Sequence, residues 1–348
     1  MIKTKIIAIA VAALVVAGAA AVMLWPSGDD NGKKGWYAWD PTVGEIDYSK
    51  ISATPRIIDT IEEMYKIVYG ELPEPSADPS MTFDPLAVTD KDGNVKIKSS
   101  GTGAGVPANA EVTFTKDEIN KMKIISYGKG FTDSYIDMFG ADVWNKVVAA
   151  GNSTWTAYPN NNMVCKSTLA SEMSISTLNL LTFFESDAFD MDSTYCLVVW
   201  GYMTNYEAVM NAVAKYGNVK LLCIDYYDAI KSLPRLMAAI DALGQLVGIS
   251  ADDNVSLTDF QKRLSAVTAA AGSLSSQKTV YMELSAGTSP GANTLTQLCF
   301  DALSLKNINT TSGTNIFSGV SVVTEMPKVI FFDVKDTRTM DQKMRVIM

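Results

Sequence analysis

Tyr195-Cys196-Leu197-Val198-Val199-Trp200-Gly201, a helical pattern over residues 206–216, and then Val219-Lys220-Leu221-Leu222-Cys223-Ile224-Asp225 decide how this chain is read. Both flanking runs are short and almost unbroken in apolar residues, the pattern of strands buried on both faces. One helix between two such strands makes a βαβ unit, the crossover that a parallel strand pair requires. On the N-terminal side, Lys123-Ile124-Ile125-Ser126-Tyr127-Gly128 reads as a strand entering a turn, 132–139 as a helix closed by Gly140, and 146–150 as a second strand. On the C-terminal side, 233–247 and 257–274 are long helical patterns with no strand between them. In the second, Phe260, Leu264, Val267 and Ala271 share one face, and Ser256 with Asp259 supplies a capping signal. Alternation then resumes with Thr279-Val280-Tyr281-Met282-Glu283 as a strand, 294–303 as a helix and 328–333 as a strand. The expected fold class is α/β: two βαβ lobes with central parallel sheets, joined by a long α-helix that keeps the halves from swinging far.

Ahead of residue 122 the texture differs. A basic start, Met1-Ile2-Lys3-Thr4-Lys5, precedes an uncharged apolar run over 6–25, about long enough for a ~30 Å hydrocarbon core. Lys3 and Lys5 would hold the N-terminus inside and send everything after Pro26 outside. Ala17-Gly18-Ala19-Ala20-Ala21 could host cleavage, whereas the apolar continuation Val22-Met23-Leu24-Trp25 favours an uncleaved helix. Residues 1–26 are therefore a signal anchor or signal peptide, and the body is extracytoplasmic, anchored to the membrane or secreted if cleaved. Residues 27–121 read as a polar tether and a small N-terminal unit. That unit holds the aromatic stretch Trp36-Tyr37-Ala38-Trp39 and a helix carrying Ile57, Ile58, Ile61, Met64, Tyr65 and Val68. Four prolines follow (73, 75, 79 and 85), then a hairpin turn at Asp90-Lys91-Asp92-Gly93-Asn94. The Gly-rich loop over 99–105 lacks the Lys-Ser/Thr of a phosphate cradle. The first lobe is expected over 122–232, linking helices over 233–276, and a second lobe over 277–348.

Composition removes whole classes of function. Of 348 residues, 29 are basic and 38 acidic, a net charge of −9, with no basic stripe to neutralise phosphates, so nucleic acid is not a partner. With no histidine, Ser-His-Asp or Cys-His catalysis, His-ligated zinc and His-ligated haem are all excluded. Cys165, Cys196, Cys223 and Cys299 have no metal-ligand spacing, and 196 and 223 sit inside strand-like runs as small buried residues. Sequons begin at Asn152, Asn254 and Asn309. An anchored hydrolase would need paired carboxylates, but Asp187, Asp190 and Asp192 read better as a solvated loop before a buried strand. Asp252-Asp253-Asn254 lacks the frame of a calcium loop. No catalytic residue, metal site or cofactor is expected, and the chain reads as a non-enzyme. A structural adhesin built on 35–121 is the remaining alternative.

The order of elements over 122–348 resembles the extracytoplasmic solute-binding proteins of ABC importers for iron-siderophores and cobalamin, whose lobes are joined by a single helix. The likeness rests on Ile124-Ile125-Ser126-Tyr127-Gly128 with Tyr135-Ile136-Asp137-Met138-Phe139-Gly140, on Leu197-Val198-Val199-Trp200-Gly201, and on Leu233-Pro234-Arg235-Leu236 with Ile240-Asp241-Ala242-Leu243-Gly244. It continues in Thr279-Val280-Tyr281-Met282-Glu283, Lys306-Asn307-Ile308, Val320-Ser321-Val322-Val323-Thr324-Glu325 and Val329-Ile330-Phe331-Phe332. The chain departs from the pattern where Met191-Asp192-Ser193-Thr194 replaces a Pro-Asp, and where no docking acid stands out near 175–180. After Phe331-Phe332 too little chain remains for the family's closing helix and strand. A second lobe that is incomplete is therefore expected.

The resemblance implies a binding component that captures an iron-siderophore of the ferric hydroxamate kind and delivers it to a permease with its ATPase. A corrinoid such as cobalamin, or a surface binding role without transport, are the alternatives. A cleft lined by strand ends would draw on Tyr127, Lys129 and Phe131, on Trp155 and Tyr158, and on Trp200, Tyr202 and Met203. Tyr226, Tyr227, Glu283 and Ser285 complete the set. Rings give large rigid contact area to a bulky guest, and only Lys129 is basic, which favours a neutral ligand. Glu325 fits the acidic residue by which such proteins dock a permease.

Overall fold

The computed structural model describes residues 39–51, 55–77, 82–99, 110–126, 139, 143, 146–150, 177–187, 189–200, 206–224, 232–274, 276–285 and 287–347. The elements below all lie within residues 41–348. Strand β1 (Thr42–Ile46) is followed by a 3-10 turn and by helix α1 (Ile57–Tyr69), which ends where Gly70 adopts a φ of 97° that favours glycine. A Cβ on Gly44 would stand 2.7 Å from Ile67, so the bare glycine is what lets α1 lie close over β1. An antiparallel meander comes next: β2 (Ala87–Thr89), β3 (Val95–Lys98) and β4 (Glu111–Phe114). It leads into α2 (Lys116–Asn120), whose first turn is closed by a reciprocal Thr115–Glu118 capping box.

The first lobe continues with β5 (Met122–Ser126), β6 (Val147–Ala150), α3 (Thr177–Phe184), β7 (Thr194–Trp200), α4 (Tyr206–Val213) and β8 (Val219–Ile224). Its four strands pair in the order β6-β5-β7-β8, all parallel. Alternate side chains enter different cores. Ile124, Cys196, Val198, Leu222 and Ile224 face one side, while Ile125, Tyr195, Leu197, Leu221 and Cys223 face an aromatic layer of Phe183, Phe184 and Phe189 on the other. Burial on both faces is why these strands read as continuous apolar runs.

Helix α5 (Leu233–Leu246) and α6 (Val255–Gly272) follow, then the second lobe. That lobe holds β9 (Thr279–Glu283), β10 (Thr288–Pro290), α7 (Leu295–Ala302), β11 (Lys306–Asn307), β12 (Thr314–Ile316), α8 (Gly319–Glu325), β13 (Val329–Asp333) and α9 (Met340–Ile347). Its main sheet runs β1-β13-β9-β11, all parallel, with β1 in register against β13 from Thr42 opposite Val329 to Ile46 opposite Asp333. Strands β10 and β12 form a separate antiparallel pair.

The small unit expected over 27–121 divides, among its described residues, between the two lobes. Strand β1 and α1 enter the second lobe, where Ile57, Ile58, Ile61, Met64 and Tyr65 share a core with Val280, Met282 and Phe331. The meander and α2 belong to the first lobe instead: Ala87, Val95, Ile97, Phe114 and Ile119 pack with Ile124 and Val198. Ser99 holds the edge strand β8 by accepting from Cys223 N at 3.1 Å and donating to Cys223 O at 3.2 Å, so the meander covers an edge otherwise open to pairing. The second lobe's main sheet takes its fourth strand, β1, from the other end of the sequence.

The 233–276 segment divides as well. In α5, Leu233, Leu236, Met237 and Ile240 lie in the second lobe's core, while Ala239, Ala242, Leu243 and Leu246 lie in the first lobe's. One helix thus carries two apolar stripes, each at the i, i+3, i+4, i+7 spacing of a buried face. Helix α6 belongs to the second lobe. Its cap is Asn254, whose Oδ1 accepts from Leu257 N at 3.0 Å, rather than the Ser256 signal. Among the described residues no helix is long and apolar enough to cross a membrane, and the 6–25 run lies outside them.

Candidate functional site

Parallel sheets bind ligands beyond the carboxyl ends of their strands, where crossovers leave room between connecting loops. In the first lobe those ends are Ser126, Ala150, Trp200 and Ile224, and Trp200 closes β7 opposite Ile224. The expected contacts Tyr127, Lys129, Phe131, Trp155, Tyr158, Tyr202, Met203, Tyr226 and Tyr227 all lie outside the described residues.

The second lobe's carboxyl edge is described in full at Glu283, which ends β9 at 1% exposure. Its carboxylate is turned to protein partners: Arg338 donates from Nη2, and the Tyr281 hydroxyl donates to Oε2 at 3.3 Å. Arg338 also donates from Nε to both oxygens of Asp336 at 3.0 Å. The Asp336 hydrogen bond raises the guanidinium pKa, with Glu283 adding to it, and the same bond holds the Asp336 carboxyl below its usual range. Burial, reinforced by the Glu283 charge, pushes the Tyr281 phenol up. Beside this trio Asp333 ends β13 and accepts from Tyr48 N at 3.3 Å and Lys335 N at 3.2 Å. Glu283 therefore positions Arg338, and Arg338 is the group that reaches partway into solvent, its side chain 24% exposed. Sequence reasoning passed it over. The available signal is its place five residues after a strand's carboxyl end, within the short tail of a second lobe expected to be incomplete.

Ser285 is exposed and turns the chain from β9 into β10, its carbonyl accepting from Thr288 N at 2.6 Å. Beyond it the β10–β12 pair rests on a buried amide network. Asn309, fully buried, donates to Ser289 O at 3.0 Å and accepts from Thr311 N at 3.2 Å. Its sequon is thus enclosed, as is that of Asn254 at 2% exposure. Glu325 is exposed at the end of α8, three residues ahead of Lys328, which bonds to Thr279 and Thr42 at the amino ends of β9 and β1. Glu325 and Glu283 thus mark opposite edges of one sheet.

Other candidates resolve into structure. Asp190 accepts from Ser193 Oγ, Asp192 N and Lys123 Nζ, which together depress its pKa to about 2 and make it the organiser of the turn before β7. Cys196, Cys223 and Cys299 are all buried, and burial pushes the thiols of 196 and 299 up. Among the described residues no group of acidic or sulfur side chains is arranged to hold a metal.

No family model and no curated protein matches this sequence. Solved structures similar to it include a periplasmic solute binding protein from Veillonella parvula DSM 2008, at 18% identity over 68% of this chain and 70% of that one, with a TM-score of 0.49. A periplasmic heme binding protein from Pseudomonas aeruginosa is similar at 14% identity over 66% and 76%, TM-score 0.40. The periplasmic vitamin B12 binding protein of Vibrio cholerae is similar at 16% identity over 61% and 76%, TM-score 0.42.

Proposed function

We propose that this chain is the extracytoplasmic binding component of an ABC importer, capturing a ferric hydroxamate-type siderophore and delivering it to a permease. The observation that carries the reading is the pair of four-stranded parallel sheets whose cores meet on a single helix, α5. Such an arrangement offers two carboxyl edges to one guest and contains no described group poised for bond-making. On the first lobe the ring-bearing residues Tyr127, Phe131, Trp155, Tyr158, Trp200, Tyr202, Tyr226 and Tyr227, with Lys129, supply contact area. On the second, Arg338 supplies direction. Its single charge is already outweighed by the Glu283 and Asp336 carboxylates, and none of its bonds to described partners uses Nη1. A guanidinium so compensated is a fixed donor suited to neutral acceptor oxygens, as in a hydroxamate cage, more than to a free anion. A corrinoid with amide side chains is the second reading, favoured by the same donor. In this reading the N-terminal run 6–25 tethers the protein to the membrane and Glu325 contacts the permease.

Titration of intrinsic tryptophan fluorescence with a ferric trihydroxamate and with cobinamide tests the proposal. Saturable quenching by one of them, weakened by Arg338→Gln, is the expected result. Failure of both to bind at about micromolar concentration, where such complexes are worth about 8 kcal/mol, overturns it.

A further inference from the structure

We infer that Asp241 is a proton-controlled latch on the joint between the two lobes: neutral, it lets α5 stay packed in both cores; ionised, it loosens α5 from the meander. Asp241 lies in the middle of α5 at 2% exposure, between Ile240 of one core and Ala242 of the other. Its Oδ2 accepts from Gln245 Nε2 at 2.8 Å, whereas Oδ1 has no hydrogen-bond partner. Gln245 carries the contact onward, accepting from Thr89 Oγ1 at 2.8 Å and donating to Ala87 O at 3.4 Å. The acid therefore sits at one end of a polar thread that fastens the shared helix to β2.

A buried carboxylate needs either a cation or several donors, and among the described residues this one has a single amide. The described charged groups on the neighbouring elements do not face it. On β3, Lys96 and Lys98 point to solvent while Val95 and Ile97 point inward. Arg235, at the start of α5, is exposed, and Lys146 is taken up by Val247 O at 3.0 Å. Burial accordingly raises the Asp241 pKa from 3.8 to about 6, the Gln245 bond opposing it. In a loosened joint water would reach the carboxyl and restore its ordinary value. The closed joint then binds one proton more than the open one between about pH 4 and about pH 6, so closure weakens as pH rises through that window and levels off above it.

The test is amide hydrogen exchange followed by mass spectrometry, corrected for intrinsic rates, from about pH 4 to about pH 7. In the wild type, opening of α5 and of β2–β3 should rise by up to about 100-fold across the window, then stay level. In Asp241→Asn the same amides should keep a constant opening equilibrium. Gln245→Leu, which removes the opposing bond, should shift the levelling-off to higher pH. A pH dependence that persists in Asp241→Asn, or a midpoint unmoved in Gln245→Leu, overturns the inference.

Discussion

Replacing Ile61 by alanine tests whether the N-terminal helix is part of the second lobe. Ile61 is fully buried on α1 in the core that holds Val280 and Phe331. The substitution removes three carbons, worth about 2.4 kcal/mol of transfer at ~0.8 per methylene, and leaves a cavity that rigid neighbours fill only in part. A loss of about 3 kcal/mol follows, roughly 150-fold in the unfolding equilibrium. Urea unfolding followed by far-ultraviolet circular dichroism measures the total, and hydrogen exchange of β9 and β13 locates it. Both strands should exchange faster in Ile61→Ala, because β1 and α1 cover them. Glu63→Ala, one turn-face away and exposed, should stay within about 0.5 kcal/mol. If β9 and β13 keep wild-type protection while α1 alone loosens, α1 is an independent appendage and the reasoning fails.

Two further outcomes follow from the same packing. Arg263 on α6 donates to both oxygens of Glu62, at 2.8 and 2.6 Å, and to Asp59 at 2.6 Å, clamping α1 in place; Arg263→Ala should lower urea stability by about 1–2 kcal/mol, and Arg263→Lys should recover only part, since a point charge cannot make the fork. An unchanged midpoint for the alanine variant would count against the clamp. Mapping of native protein after treatment with a thiol reagent should find Cys196, Cys223 and Cys299 unmodified until denaturant is added, with no disulfide among them; labelling of any of the three in the folded state would contradict their burial.

How much of this was legible depended on whether a residue's neighbour lies nearby in sequence. The strands β7 and β8 announce themselves because both faces are buried, so every position is apolar whatever it touches. Helix α5 was legible as a buried helix, but its two stripes together read only as apolar all round, which says nothing of two different cores. Strand β1 left almost no trace. Of Thr42-Val43-Gly44-Glu45-Ile46 only Ile46 is buried, and its partner strand lies near the other end of the chain. A pairing that distant has no local signature. Glu283 was picked out from its place at a strand end, yet what it does depends on Arg338, 55 positions later. Most of the ring-bearing candidates remain readings of sequence alone, since they fall outside the described residues.

The route of the N-terminal segment changes the mechanics of the joint. The described chain runs first through the second lobe with β1 and α1, crosses to the first lobe ahead of the meander, and returns through α5. The outward crossing is itself held down: Ser76 N donates to Lys262 O at 3.1 Å, Leu72 and Phe83 rest on the second lobe's core, and Leu86 rests on the first's. Its Pro73, Pro75 and Pro85 have fixed φ angles, which limits bending further. A hinge between lobes would have to distort a pinned, proline-rich strap and a helix buried in both cores at once. Domain closure needs a few residues free to absorb large dihedral changes, and Leu72, Ser76, Phe83 and Leu86 of the strap, like the described length of α5, are held in place. A weakened contact inside the joint, such as an ionised Asp241, is the kind of change by which this scaffold can become looser without either lobe unfolding.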